Sequence, residues 1–173
     1  TLQGLGIDVV DLGFSTTPTV EIAVTMENAH GGIILTASHN PKQWNALKLI
    51  NSDGEFMTPV QNKAMLDLLS NAGDQYAEWD SLGKHLLDDK ATANHLNSVL
   101  KMKFIQVEKI RNRKFKVLLD CVNGAGSYVM PEMLERLGCE VVLSDCEKTG
   151  IFPRLPEPLP ENLTKAMQAV KDN

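Results

Sequence analysis

Gly31-Gly32-Ile33-Ile34-Leu35-Thr36-Ala37-Ser38-His39-Asn40-Pro41, continuing as Lys42-Gln43-Trp44-Asn45-Ala46-Leu47-Lys48, is the stretch around which the 173-residue chain is organised. Residues 33–35 form an apolar run without polar alternation, the pattern of a strand buried on both faces of a sheet. The run ends abruptly in Ser38-His39-Asn40-Pro41, a cluster of turn formers. A second short run over residues 46–50 stops at Asn51-Ser52-Asp53-Gly54. A hydroxyl, an imidazole and an amide therefore fall at the carboxyl end of a buried strand, where open α/β sheets place their ligands. Lys48, on the next strand, can return its ammonium toward Ser38.

Working outward toward the N-terminus, residues 7–12 read as a strand closed by Gly13. Thr17 followed by Pro18 is a helix start, with a hydroxyl N-cap and a proline at the first helical position, where its missing N–H costs nothing. That helix is expected to reach about residue 29, with Val20, Ala23 and Val24 facing inward. Toward the C-terminus, Thr58-Pro59 repeats the start signal. Ala64, Leu66, Leu68 and Leu69 carry a helix to about residue 70, and Asn71-Ala72-Gly73-Asp74 stops it. Residues 74–90 are polar and mixed and predict a connection anchored by Trp79, Leu86 and Leu87. One long helix is expected over about 91–109, because Leu96, Val99, Leu100, Ile105 and Ile110 recur near helical spacing.

Residues 115–121 then predict a strand, Asn123-Gly124-Ala125-Gly126 a turn, residues 129–137 a helix stopped by Gly138, and residues 140–143 another strand. This strand–helix–strand order is a βαβ unit and marks a second α/β domain. Residues 152–160, with four prolines, exclude helix and central strand and lead into a helix from about Glu161. The chain divides into two successive small α/β domains, 1–88 and 89–173.

Composition sets limits. A hydrophobic content of 43% argues against wholesale disorder, and the few aromatics leave the core to aliphatic side chains. A net charge of -5 argues against nucleic acid or an anionic membrane as the main partner. Cys121, Cys139 and Cys146 are odd in number and match no zinc spacing; buried thiols in a reducing cytosol are the expectation. No apolar run approaches the roughly 20 residues that cross a bilayer.

Ser38 on spacing alone is an ordinary turn hydroxyl or helix cap, and the Gly-x-Ser-x-Gly elbow of hydrolases is absent. His39 alone is a loop histidine, and Lys48 alone a solvated strand-end lysine. Together they suit a phosphoserine: a phosphate on Ser38 carries nearly two negative charges, which Lys48 and His39 can hold and relay protons around. The Asn123–Gly126 turn can cradle phosphate on its N–H groups, yet it lacks a third dinucleotide glycine and a Walker lysine, so a structural turn is the simpler reading. The proline-rich stretch reads as a rigid connection in preference to a peptide-domain ligand.

The string Thr36-Ala37-Ser38-His39-Asn40-Pro41 resembles the active-site loop of the α-D-phosphohexomutases (phosphoglucomutase, phosphomannomutase and phosphoglucosamine mutase). Asn45 and Lys48 resemble that family's asparagine and lysine after the loop, and residues 4–13 with Thr17-Pro18 its preceding segment. Asp120, Asn123-Gly124-Ala125-Gly126 and Pro156-Glu157-Pro158 through Asn162-Leu163 resemble the opening of its second domain. The likeness covers nearly the whole chain.

The resemblance implies a three-layer α/β/α architecture with a mixed sheet and a cytoplasmic phosphoserine mutase acting on a sugar phosphate through a hexose 1,6-bisphosphate. In such enzymes Mg²⁺ bridges the phosphoserine and three aspartates. By position, Ser38 is the phosphocarrier and a metal ligand through its phosphate, Lys48 the general acid/base and His39 a supporting group. Asn40 and Asn45 lie on the substrate side, and Ala46 stands where many relatives carry glycine. The resemblance further implies that the chain is a piece of a longer enzyme. It lacks an arginine-bearing segment before Gly4, the Asp-Gly-Asp metal loop, the sugar-selecting loop and a distal phosphate-binding domain. The piece is then expected to be inactive alone, with an incomplete first-domain sheet open to self-association. An N-acetylglucosamine-phosphate mutase is the neighbouring alternative, and a non-catalytic sugar-phosphate- or partner-binding module the alternative of another class.

Overall fold

The computed structural model describes residues 1–71, 73 and 75–172. Its elements run β1 (Val9–Asp11), α1 (Thr17–Met26), β2 (Gly32–Thr36), β3 (Ala46–Ile50), α2 (Pro59–Asn71), β4 (His85–Leu87) and α3 (Ala91–Leu100). Then follow α4 (Val107–Arg113), β5 (Lys116–Asp120), α5 (Met130–Arg136), β6 (Glu140–Ser144) and α6 (Thr164–Asp172). The class is mixed α/β. Among the described residues the strands form three two-stranded sheets: β1 with β4 in parallel, β2 with β3 antiparallel, and β5 with β6 in parallel.

The hairpin β2–β3 is held by α1. Val24, Ile34 and Ile50 make a small buried cluster with Val20 and Ala29 packed against it. The approach is close enough that a Cβ on Gly32 would stand 2.8 Å from Val24 Cγ2, so only glycine fits where α1 crosses the start of β2. Thr16, not Thr17, is the N-cap of α1, and its Oγ1 lies 2.8 Å from Thr19 Oγ1. The helix ends at Met26, short of the expected residue 29, because Asn28 takes the left-handed conformation at φ 50°. Asparagine tolerates that region best after glycine.

Two further expectations are corrected. The connection over 74–90 contains a strand: β4 pairs with β1 across 76 residues of sequence, His85 Nε2 lies 3.2 Å from Asp11 Oδ2, and the Lys84 N–H donates to Asp8 Oδ1 at 2.7 Å. Trp79, Leu86 and Leu87 are not buried anchors, since they are 84%, 51% and 73% exposed. The single long helix is two helices. α3 buries Leu96 and packs on α1, whereas α4 faces the other way, its Arg111 Nε donating to Arg136 O at the end of α5. One straight helix cannot satisfy both neighbours, and turns closed by Met102 N–H to Val99 O and Ile105 N–H to Met102 O separate them. The helix stop at Asn71–Asp74 lies partly outside the described residues.

The βαβ unit forms as expected, with Asp120 paired to Ser144 at its carboxyl end. α6 starts at Thr164, later than expected, after a 3-10 turn over Pro160–Asn162. The three cysteines are free thiols and half-buried, less enclosed than their apolar flanks predict. No helix among the described residues is long and apolar enough to cross a membrane.

Much apolar surface stays in water. The chain exposes 12279 Å², where a compact monomer of 19.0 kDa exposes about 8,400 Å². Leu35 and Leu47 on the hairpin are 75% and 60% exposed, and α2 buries none of its residues.

Candidate functional site

The loop between β2 and β3 starts where the hairpin ladder stops, at the pair Thr36–Ala46. Two residues on, Ser38 takes φ 54°, left-handed backbone that costs a residue with a Cβ roughly 1–2 kcal/mol. Such conformations persist only where neighbouring bonds impose them. Here the Ser38 N–H donates to Thr36 Oγ1 at 2.9 Å, and Ala37 O accepts from both the Asn40 N–H and Asn40 Nδ2 at 3.0 Å. The hydroxyl is thereby carried on the exposed outer side of the turn, with Ser38 Oγ 3.4 Å from His39 Nδ1. Asn45 closes the far side by accepting the Ala46 N–H at 3.0 Å, and Trp44 N–H bonds Pro41 O at 3.0 Å.

Ser38, His39 and Asn40 thus share one turn, with Asn45 at its foot. Lys48 does not join them. Its register partner is Ile34, four residues or roughly 13 Å of extended strand before Ser38. Its ammonium lies 5.7 Å from the centre of the Phe56 ring, a cation–π contact, and no hydrogen bond joins it to Ser38. The Ser38-facing position expected from the sequence is therefore not the one adopted. Among the described residues no group of three or more His, Cys, Asp or Glu side chains could hold a metal ion.

A second polar centre escaped the sequence reading. Arg154, in the proline-rich segment and only 18% exposed, donates from Nη2 to Asp120 and from Nη1 to Asp145 Oδ2 at 2.5 Å. Lys165 Nζ reaches Asp145 Oδ1, also at 2.5 Å. The Lys165 ammonium, then Arg154, hold the Asp145 carboxyl below the usual range, and Asp120 first raises Arg154 further. A small cleft beside this cluster is lined by Asp120, Arg154, Pro156, Glu157 and Asn162. The available signal was the pair of strand-end residues Asp120 and Asp145 together with one arginine flanked by prolines.

The two halves of the chain also meet through an aromatic pair. Phe14, in the β1–α1 loop, stacks on Tyr128 with ring centres 5.3 Å apart, and Tyr128 Oη donates to Lys148 O at 3.0 Å.

Family models described as phosphoglucomutase/phosphomannomutase, alpha/beta/alpha domains I and II, match residues 1–75 and 93–173 respectively. A probable phosphoglucosamine mutase of Methanopyrus kandleri is 36% identical over 172 residues, which are 98% of this chain and 36% of that protein. A phosphoglucomutase/phosphomannomutase of Thermococcus kodakarensis is 34% identical over 171 residues, 98% and 37% of the two chains. A crystal structure from Thermus thermophilus, provisionally assigned as a phosphomannomutase, superposes with a TM-score of 0.77 at 29% identity, covering 98% of this chain and 38% of that one. The chain spans little more than a third of the length of the curated relatives it matches.

Proposed function

The chain belongs to the phosphoglucomutase/phosphomannomutase family, and we propose on that ground that it carries the phosphoserine loop of an enzyme interconverting hexose 1-phosphate and hexose 6-phosphate. The observation that supports this most is Ser38 itself: an exposed hydroxyl on a strained, doubly braced turn beside an imidazole. In the forward half-reaction the P–O bond to Ser38 Oγ breaks as the sugar hydroxyl attacks phosphorus, and the hydroxyl proton passes to a base. The resulting hexose 1,6-bisphosphate reorients and returns its other phosphoryl group to Ser38.

His39, 3.4 Å from the serine oxygen, supports that oxygen as it loses or gains phosphorus. Asn40 fixes the turn through Ala37 O, and Asn45 holds its foot on the substrate side. Lys48 is the general acid/base by position, which requires its side chain to leave the Phe56 ring. Mg²⁺, when bound, offsets charge on the transferring phosphoryl group. This chain offers a phosphate on Ser38 as one ligand, but its described carboxylates do not assemble a cation site, so no step above is routed through the metal.

The reading extends to the isolated 173 residues: they lack turnover, and the exposed apolar faces of the hairpin and α2 are covered by the rest of a longer cytoplasmic protein or, failing that, by another copy. Glucose, mannose and glucosamine phosphates are all admitted. The test is a mutase assay with each sugar on the product of the complete reading frame and on residues 1–173. Activity in the former that Ser38→Ala abolishes supports the proposal. Turnover by residues 1–173 overturns the statement about the piece. A longer protein that binds sugar phosphate without isomerising it turns the reading to a binding module.

A further inference from the structure

Two of the three free thiols sit side by side. Cys121 follows β5 and Cys146 follows β6, and the parallel register pairs Asp120 with Ser144, so both cysteines emerge at the carboxyl end of neighbouring strands. Cys146 Sγ reaches back across the pair: it lies 3.2 Å from Leu119 O on β5 and 3.2 Å from Ser144 O on its own strand. Asp145, between the end of β6 and Cys146, takes φ 48°, so the chain turns there and carries Cys146 Sγ back to the carbonyl of Leu119, two residues before Cys121. Cys121 is packed beneath the glycine-rich turn, where a Cβ on Gly126 would stand 3.3 Å from its Sγ. Its thiol faces that of Cys146, and burial, then Cys146 itself, push it up to about 12. Ser127 Oγ, buried and without a partner of ordinary hydrogen-bond geometry, faces the same thiol and acts in the opposite direction. Cys139 stands apart, before the first residue of β6 and at the opposite end of that strand from Cys146.

We propose that Cys121 and Cys146 are a redox-modifiable dithiol that closes to an intrachain disulfide when the protein meets a peroxide. The Cys146 sulfur attacks one peroxide oxygen, the O–O bond breaks, and the S–H proton passes to the departing oxygen, leaving a sulfenic acid and one water. The Cys121 sulfur then attacks the sulfenic sulfur. The S–S bond forms, the S–O bond breaks, and hydroxide leaves with the Cys121 proton as a second water. Two thiols are oxidised and one hydrogen peroxide is reduced to two waters. Cys121 suits the second step by its placement, packed beneath the glycine-rich turn with its sulfur beside that of Cys146. Closure draws Cys146 Sγ off the Leu119 and Ser144 carbonyls. It also ties together the strand ends whose last carboxylates, Asp120 and Asp145, grip Arg154 and with it the proline-rich segment. Oxidation therefore acts on the wall of the cleft beside Arg154.

The experiment treats the reduced, folded protein with hydrogen peroxide, alkylates free thiols and maps non-reduced peptides by mass spectrometry. The expected result is alkylation of Cys139 alone and a cross-linked peptide pair holding Cys121 and Cys146, which a reductant dissolves. Cys139→Ser leaves the cross-link intact, and Cys121→Ser replaces it with sulfinic acid or an intermolecular disulfide at Cys146. Protein unfolded in urea before oxidation gives pairs that include Cys139. Three alkylated cysteines after peroxide, sulfinic acid at Cys146 in the unaltered chain, or a native cross-link through Cys139 each overturn the proposal. None of these readouts depends on mutase activity.

Discussion

Thr36 and Ser38 are joined by one hydrogen bond, from the Ser38 N–H to Thr36 Oγ1 at 2.9 Å, at the point where extended strand gives way to left-handed backbone. The last side chain of β2 thus braces the left-handed conformation of the proposed phosphocarrier. Thr36→Val keeps the shape and removes the acceptor. At about 1 kcal/mol for one hydrogen bond, phosphoryl loading of Ser38 is expected to fall about fivefold. Thr36→Ser should restore it. Equal loading in the valine variant would show that the bond is dispensable.

Because Ser38 holds φ 54°, glycine and alanine there should behave differently. Both remove the hydroxyl, but alanine retains the left-handed penalty and glycine does not. Ser38→Gly is expected to be more stable than Ser38→Ala by about 1 kcal/mol, read as a higher denaturation midpoint. An alanine variant of equal or greater stability would mean that the turn relaxes out of this conformation.

Thr19 is fully buried, and its Oγ1 lies 2.8 Å from Thr16 Oγ1 and 2.9 Å from His95 Nδ1, tying α1 to α3. Thr19→Val strands both partners and should cost about 1–3 kcal/mol in chemical denaturation. Burial lowers the His95 pKa, so the native state prefers the neutral ring. The stability this gives is present above the unfolded value of about 6.5 and is lost as pH falls below it. His95→Asn should flatten that limb of a stability–pH profile. An unchanged limb would assign it to other groups.

The Arg154 cluster acts at lower pH. The Asp145 pKa is depressed, by Lys165 first, so its contribution is present above about 3.9 and is lost as pH falls further. Lys165→Met, removing an exposed partner, should cost about 0–1 kcal/mol at neutral pH and should converge with the unaltered protein in acid. Arg154→Leu leaves Asp120 and Asp145 facing each other without their shared cation and should cost about 3 kcal/mol. A neutral effect of Arg154→Leu on the denaturation midpoint would remove the cluster from the account of stability.

The hairpin around Ser38 and the β5–β6 unit were legible because uninterrupted aliphatic runs stop at turn formers, and both pairings are built from such local signals. β4 was hidden because it is three residues long, exposed along its length and paired with a strand 76 residues earlier. No glycine or proline marks the break between α3 and α4; only their different packing neighbours impose it. Ser38 stood out in the sequence as a candidate, but its strain did not, since serine gives no hint of positive φ. The Arg154 cluster joins residues 9 and 34 positions apart, a separation at which composition carries no geometric information.

The most direct test of the phosphocarrier role is phosphopeptide mapping of the protein expressed from its complete reading frame, after incubation with a hexose 1,6-bisphosphate and Mg²⁺. The account predicts a phosphoryl group on the peptide containing Ser38, absent from Ser38→Ala. A folded protein whose Ser38 remains unmodified, or a phosphate that persists elsewhere in the Ser38→Ala variant, would contradict it.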